Sequence, residues 1–341
     1  MKTIITKVKI AHLILQNDSG LKIELSTFGA SIYSIELKNR VGIYEAMTLT
    51  PSNLEDFYTN TSYHGKTIGR YSGRIDKGVC CIDGQKYNLD INWNSVNSLH
   101  GGYEGISSRI FEYEIIEEKD FTDVIFKLVE EKKILPGVIN YNIKYRIYNL
   151  KNQFDIYLDA ISTEKTLLNL TNHTYFNLSG NCKNTILNHR LYLPCRKYTR
   201  LNNELITISI DEVNQIMDFT DNHEIGKFIE DPSLQNHTAK GYDHCFIKDN
   251  IDNDLIAVLS NPENGISLEI STSYPSVVFY SGNYPDDFSF NKEKIQNIKY
   301  HAVCLEPQFI PNGINMENQL TAVIQKNEKY SHYIKYKFAI C

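Results

Sequence analysis

The sequence predicts an all-β protein, built almost wholly of antiparallel strands joined by tight turns, with few short helices. Three observations predict it. Tyr (23) and Phe (15) are abundant, and Ile, Val and Thr recur in short runs cut by Gly, Asn and Asp, the composition of strands and turns. Several segments alternate apolar and polar residues on either side of a short turn, the period-two pattern of a half-buried strand. No dinucleotide or P-loop glycine fingerprint is present and strands do not alternate with long amphipathic helices, so an α/β nucleotide-binding fold is disfavoured.

The elements follow in chain order. Ala11 to Leu25 (AHLILQNDSGLKIEL) forms a hairpin around the Asn17-Asp18-Ser19-Gly20 turn. The best helical signal runs from Ser52 to Thr59 after Pro51, with Ser52 as the cap of a short turn beginning near Asn53. Cys80 to Leu89 makes a second hairpin around Asp83-Gly84, and Val138 to Ala160 a third, two long alternating stretches joined at Lys151-Asn152. No low-complexity linker or fixed-period repeat marks a boundary. At 341 residues the chain is expected to form one domain over 1–341, since β architectures often exceed ~200 residues as a single unit.

Composition removes several classes of function. Hydrophobic residues at 42% and charged residues at 22% suit a packed globular chain. A net charge of −6 without a Lys/Arg cluster excludes a nucleic-acid surface, which needs a concentrated basic footprint. The N-terminal MKTIITKVKI is too polar for a signal-peptide core, and no run is long enough to cross a membrane, so a cytoplasmic protein is expected. The seven cysteines, an odd number in no paired C-x-x-C spacing, read as reduced and mostly buried thiols, not a zinc site.

Chemistry concentrates in five segments. In NLTNHTYFNLSG, strand alternation would set Asn169, Thr171, His173, Tyr175 and Asn177 on one polar face, with Leu170, Phe176 and Leu178 turned to a core. Such a face suits a ligand rich in hydroxyls, and equally an ordinary solvated sheet face. In AVCLEPQFIPNGIN, Glu306 interrupts an apolar strand in line with Cys304 and Gln308. A carboxylate flanked there by Val303, Leu305 and Phe309 loses solvent and becomes a stronger base, or is held by an Arg as a structural group. GRYSGRI puts Arg70 and Arg74 on one face if extended. NSLHGG sets His100 before two glycines, where a plain turn serves as well as a ligand site. GYDHCF joins Asp243 to a histidine, too few groups for a metal. The remaining histidines, His12, His64, His189, His223, His237, His301 and His332, stand in no ligand-like spacing.

Taken together and in this order, these segments resemble the aldose 1-epimerase (galactose mutarotase) family, as do FGASIYSIEL, LPGVINYNIKY and SYPSVVFYSGNY elsewhere in the chain. The resemblance implies a large antiparallel β-sandwich with a shallow sugar cleft across one sheet. It implies an isomerase that interconverts the anomers of a free hexose such as galactose or glucose, with Glu306 as general base and His173 as general acid. Arg74, His100 and Asp243 would hold the sugar hydroxyls, leaving Arg70 open to a structural role. No metal, nucleotide or redox cofactor is implied, the partner is a small aldose, and the assembly is a monomer or homodimer. The working form requires Glu306 ionised and His173 protonated, which attraction across the sugar would favour.

The chain departs from the family pattern at Gly73, where Asn is common, at Val278, where Gln is frequent, and at Pro307 and Asn312 beyond the glutamate. These departures bear on the choice of sugar more than on proton transfer. Three other readings compete: a non-catalytic sugar sensor, which predicts loss of the acid or base; a glycoside hydrolase, which would need Asp243 and Glu306 as a carboxylate pair; and an epimerase of a phosphorylated hexose, which predicts extra basic residues around the cleft.

Overall fold

Strands are the predominant regular structure of the computed structural model, which describes residues 9–131, 133–317 and 322–340. Its largest sheet has nine antiparallel strands in the order Glu112–Glu117, Phe121–Glu130, Ile139–Tyr148, Gln153–Ser162, Lys329–Ile340, Ile266–Thr272, Leu255–Asn261, Arg190–Tyr192 and His223–Glu224. Along Ile139–Tyr148 the residues Ile139, Tyr141, Ile143, Tyr145 and Ile147 are buried while the even-numbered ones are exposed or half-buried. That alternation aims one face of the sheet at a core and the other at solvent.

Facing it is a six-stranded sheet, ordered Tyr175–Phe176, Val303–Gln308, Ser276–Tyr280, Asp243–Ile247, Lys197–Leu201 and Thr207–Glu212. A single apolar core joins Tyr145, Ile334, Tyr336 and Phe338 of the first sheet to Phe176, Phe246, Val277, Phe279 and Leu305 of the second. The Phe176 and Tyr336 rings meet across it with centroids 5.5 Å apart. Each such side chain contributes about 1.5–3 kcal/mol by leaving water. A four-stranded sheet, His12–Gln16, Leu21–Ser26, Ser31–Lys38 and Tyr44–Ala46, adds Leu21, Ile23 and Ile35 to the same core. The architecture is the expected all-β sandwich of large sheets with two short helices among the described residues.

All three predicted hairpins form. In the first turn the Asn17 side-chain oxygen accepts the Gly20 and Leu21 N–H groups at 3.0 and 2.8 Å. Gly20 supplies the positive φ of 104° that the turn requires. The predicted helix spans Leu54–Thr59, but its cap is Asn53, whose side chain accepts the Asp56 N–H at 2.9 Å. Ser52 is instead occupied in a 2.7 Å hydroxyl contact with Ser289.

The segment from Asn169 to Gly180 differs from expectation. Thr171–Asn172 pairs with Thr67–Ile68, whereas Tyr175–Phe176 pairs with Cys304 and Val303. The chain crosses from one ladder to another, alternation breaks, and every residue from 166 to 178 is buried. Arg70 and Arg74 likewise share no extended face, since only Arg74–Ile75 is strand. Six cysteines lie among the described residues, all unpaired, with Cys81 exposed and the other five buried; Cys341 lies outside them. No helix among the described residues is long and apolar enough to cross a membrane.

Candidate active site

The alternation that builds the core also builds a site on the opposite face of the six-stranded sheet. Val303 and Leu305 enter the core, so Glu306 and Gln308 face the other way; Val277 and Phe279 enter it, so Val278 and Tyr280 face outward. Asp243 and Cys245 do the same from the next strand. Together with Tyr63, Gly73, Arg74, Trp93 and His100 they line a cavity of about 310 Å³, at the small end of ligand pockets, which span roughly 300–1,000 Å³.

All five residues singled out in the sequence, Arg74, His100, His173, Asp243 and Glu306, line this cavity. His173 Nε2 lies 3.6 Å from Glu306 Oε1. On its other side Nδ1 meets the Cys304 thiol at 3.5 Å, and the ring stacks on Tyr175 with centroids 5.1 Å apart. Glu306 Oε2 is buried without a partner. Arg74 Nη1 donates to Asp243 Oδ2 at 3.2 Å, its guanidinium lies 4.7 Å from the centroid of Trp93, and its Nε is unpaired. The Gly73 N–H donates to His100 Nδ1 at 3.2 Å, which leaves the Nε2 side of a neutral imidazole to carry its proton.

Gly73 is required where it stands. Its φ is 79°, and a Cβ there would lie 2.6 Å from the Cβ of Pro311. Arg70 serves the framework: buried, it donates to Glu130 and to the carbonyls of Pro136 and Gly137. The amides beside His173 are also structural. Asn169 brackets Phe309, accepting its N–H at 2.9 Å and donating to its carbonyl at 3.1 Å, while Asn177 donates to the carbonyls of Asn184 and His301. The polar face expected to meet a ligand thus narrows to His173 and Tyr175.

Burial dominates the electrostatics. It raises the Glu306 carboxyl well above the usual carboxylate range, with the Asp243 charge adding to the effect and Arg74 opposing it. It lowers His173 to about 3, helped by His64 and Arg74, and lowers His100 well below the ordinary imidazole range, helped by His173 and Arg74. Burial thus favours the neutral imidazole and the protonated carboxyl, the reverse of the charge distribution expected from mutual attraction. The two distributions are tautomers of one net-neutral pair, related by a proton shift across the 3.6 Å gap.

Sequence reasoning gave no role to Trp93, Tyr63, Tyr280, Asp286 or Gln308, all of which line the cavity. Gln308 carried a signal, its alternation with Glu306. Trp93 and Tyr63 carried none, because they arrive from loops. His64, read as an ordinary histidine, sits directly behind the site, 3.0 Å from Asp286 and with its ring centroid 4.1 Å from that of Tyr175 at a tilt of 31°.

Comparison with known proteins identifies the family and the fold. The family model described as Aldose 1-epimerase matches residues 11–337. Bovine galactose mutarotase is 29% identical over 331 residues, covering 96% of this chain and 93% of its own. The aldose 1-epimerase of Streptococcus thermophilus is 27% identical over 341 aligned positions, covering 96% and 94%. Among solved structures, a GalM/aldose epimerase homologue from C. elegans superposes with a TM-score of 0.86 at 24% identity, covering 97% of this chain and 99% of the other. A galactose 1-epimerase from Lactobacillus acidophilus gives 0.84 at 24% identity, covering 100% and 98%. With a match that runs almost end to end and a strand scaffold shared with these structures, the chain belongs to the aldose 1-epimerase family.

Proposed function

We propose that the protein interconverts the α and β anomers of a free hexose such as galactose or glucose, with Glu306 as general base and His173 as general acid. The observation that carries the assignment is the buried His173–Glu306 pair, 3.6 Å apart on the cavity floor, beside an unpaired carboxylate oxygen. Ring opening needs a proton removed from the anomeric hydroxyl and a proton delivered to the ring oxygen. Glu306 Oε2 takes the first, the O1–H electrons form the C1=O1 bond, the C1–O5 bond breaks, and O5 receives its proton from His173 Nε2. Rotation about C1–C2 presents the other face of the aldehyde, and the same transfers in reverse close the ring as the other anomer.

The pair needs one proton, moved to the imidazole as the sugar binds. A hydroxyl donated to Oε2 favours the carboxylate form, and so does the nearby Arg74 charge. Arg74, Asp243 and His100 hold the remaining hydroxyls. The Arg74–Asp243 link and the Trp93 face fix the guanidinium plane before the sugar arrives, which lowers the ordering cost of binding. Arg74 is the only Lys or Arg among the described lining residues, against Asp243, Asp286 and Glu306, a balance that favours a free sugar over a phosphorylated one.

Polarimetry of freshly dissolved α-D-galactose and α-D-glucose tests the assignment. The expected result is decay to the ordinary equilibrium rotation, faster than in buffer and proportional to protein concentration. Sugar binding with decay at the buffer rate would instead make the protein a non-catalytic sugar binder on the same fold.

A further inference from the structure

Gln308 has no place in the assignments above, yet it lines the cavity, is 1% exposed, and has a side-chain oxygen without a partner. Its amide nitrogen only leans on the Glu306 carbonyl at 3.5 Å. Directly opposite Gln308, Ser276 gives its hydroxyl to the Gln308 backbone carbonyl at 2.6 Å, and the next residues across the sheet, Val278 and Cys245, offer the side-chain oxygen no donor. A buried acceptor left in this state is a position waiting for a donor.

The order of groups along the strand says which donor. Cys304, Glu306 and Gln308 share one face, at successive steps of roughly 6.5–7 Å. His173 joins the column on the Cys304 side, 3.5 Å from that thiol through Nδ1 and 3.6 Å from Glu306 through Nε2. Gln308 therefore lies on the opposite side of Glu306 from the acid. In a pyranose the anomeric carbon has two ring neighbours, O5 and C2. With O5 at His173 and the anomeric hydroxyl at Glu306, the substituent on C2 is directed towards Gln308.

We infer that Gln308 receives the 2-hydroxyl of the sugar and makes the enzyme selective for aldoses that carry a hydroxyl at C2. The inference rests on the assignment of Glu306 and His173 above. Gln308 acts as a substrate contact and takes no part in proton transfer.

The test is a comparison of D-galactose with 2-deoxy-D-galactose, each kcat/KM divided by that sugar's own buffer rate, in the wild type, Gln308→Met and Gln308→Glu. In the wild type, the 2-hydroxy sugar is expected to be preferred about 5- to 10-fold, the discrimination of one buried hydrogen bond. In Gln308→Met the preference is expected to fall to about one- to twofold, and Gln308→Glu, which keeps an acceptor, is expected to restore it. A merely structural role would slow both sugars alike and leave the preference unchanged, which overturns the inference while the epimerase assignment stands. A wild-type preference near one overturns it without any variant. Absence of acceleration with both sugars in the wild type overturns the epimerase assignment and this inference together.

Discussion

Removing water from a carboxyl and an imidazole in contact does two things at once: it disfavours charge on both and strengthens whatever proton transfer they share. Glu306→Gln keeps the shape of the side chain but cannot accept the anomeric proton, and His173→Asn cannot supply the proton to the ring oxygen. Each is expected to lower kcat by about 10²–10⁴-fold with unchanged circular dichroism and melting temperature; near-normal turnover in either variant removes the role assigned to that residue. The pH profile follows from the one-proton requirement. Because His173 is held down near 3, the pair gains no second proton in mild acid, and kcat/KM, which reports the free protein, should not fall as pH drops towards about 5. Because Glu306 is raised well above the usual carboxylate range, the pair loses its single shared proton, and activity falls, as pH rises through that raised value. A profile that instead collapses between pH 7 and 6 would mean that His173 works only as a neutral base.

At the level of the elements, the three hairpins were legible because each strand has one face in the core and one in solvent, which writes a period of two into the sequence. The strand bearing Glu306 was legible for a related reason: a lone carboxylate in an apolar run must face something other than the core. His173 was identified, but its surroundings were misread. Asn169 and Asn177 look like ligand contacts in a continuous strand and are instead brackets for other loops, a distinction set by long-range pairing that no local pattern encodes. Arg70 and Arg74 separate for the same reason, one tied to Glu130 and the other to Asp243. Asn169→Ala should therefore act on stability, leaving the part-buried Phe309 N–H and carbonyl without their side-chain partner. A loss of about 2–4 kcal/mol in denaturant unfolding is expected, whereas a stable variant with weakened sugar binding would return Asn169 to the ligand face.

For the molecule as a whole, burial of histidines sets the acid limit of the fold. His173 and His244 are lowered to about 3 and His189 to about 4, each chiefly by burial. Between those values and the ordinary imidazole range the unfolded chain binds protons that these three groups refuse in the fold, so their contribution to stability is greatest above that range and is lost as pH falls through it. It outweighs that of the single raised Glu306 carboxyl, which acts in the opposite sense. The melting temperature should drop between pH 7 and pH 4.5; a constant value over that interval would mean the buried imidazoles are already charged in the fold. The central claim concerns what the cavity does to a sugar, and magnetisation-exchange NMR on galactose at anomeric equilibrium addresses it without any net reaction. Exchange between the α and β H1 resonances should accelerate with wild-type protein and return to the buffer rate with Glu306→Gln. Exchange at the buffer rate with the wild type, or equally fast exchange with both proteins, would contradict the account.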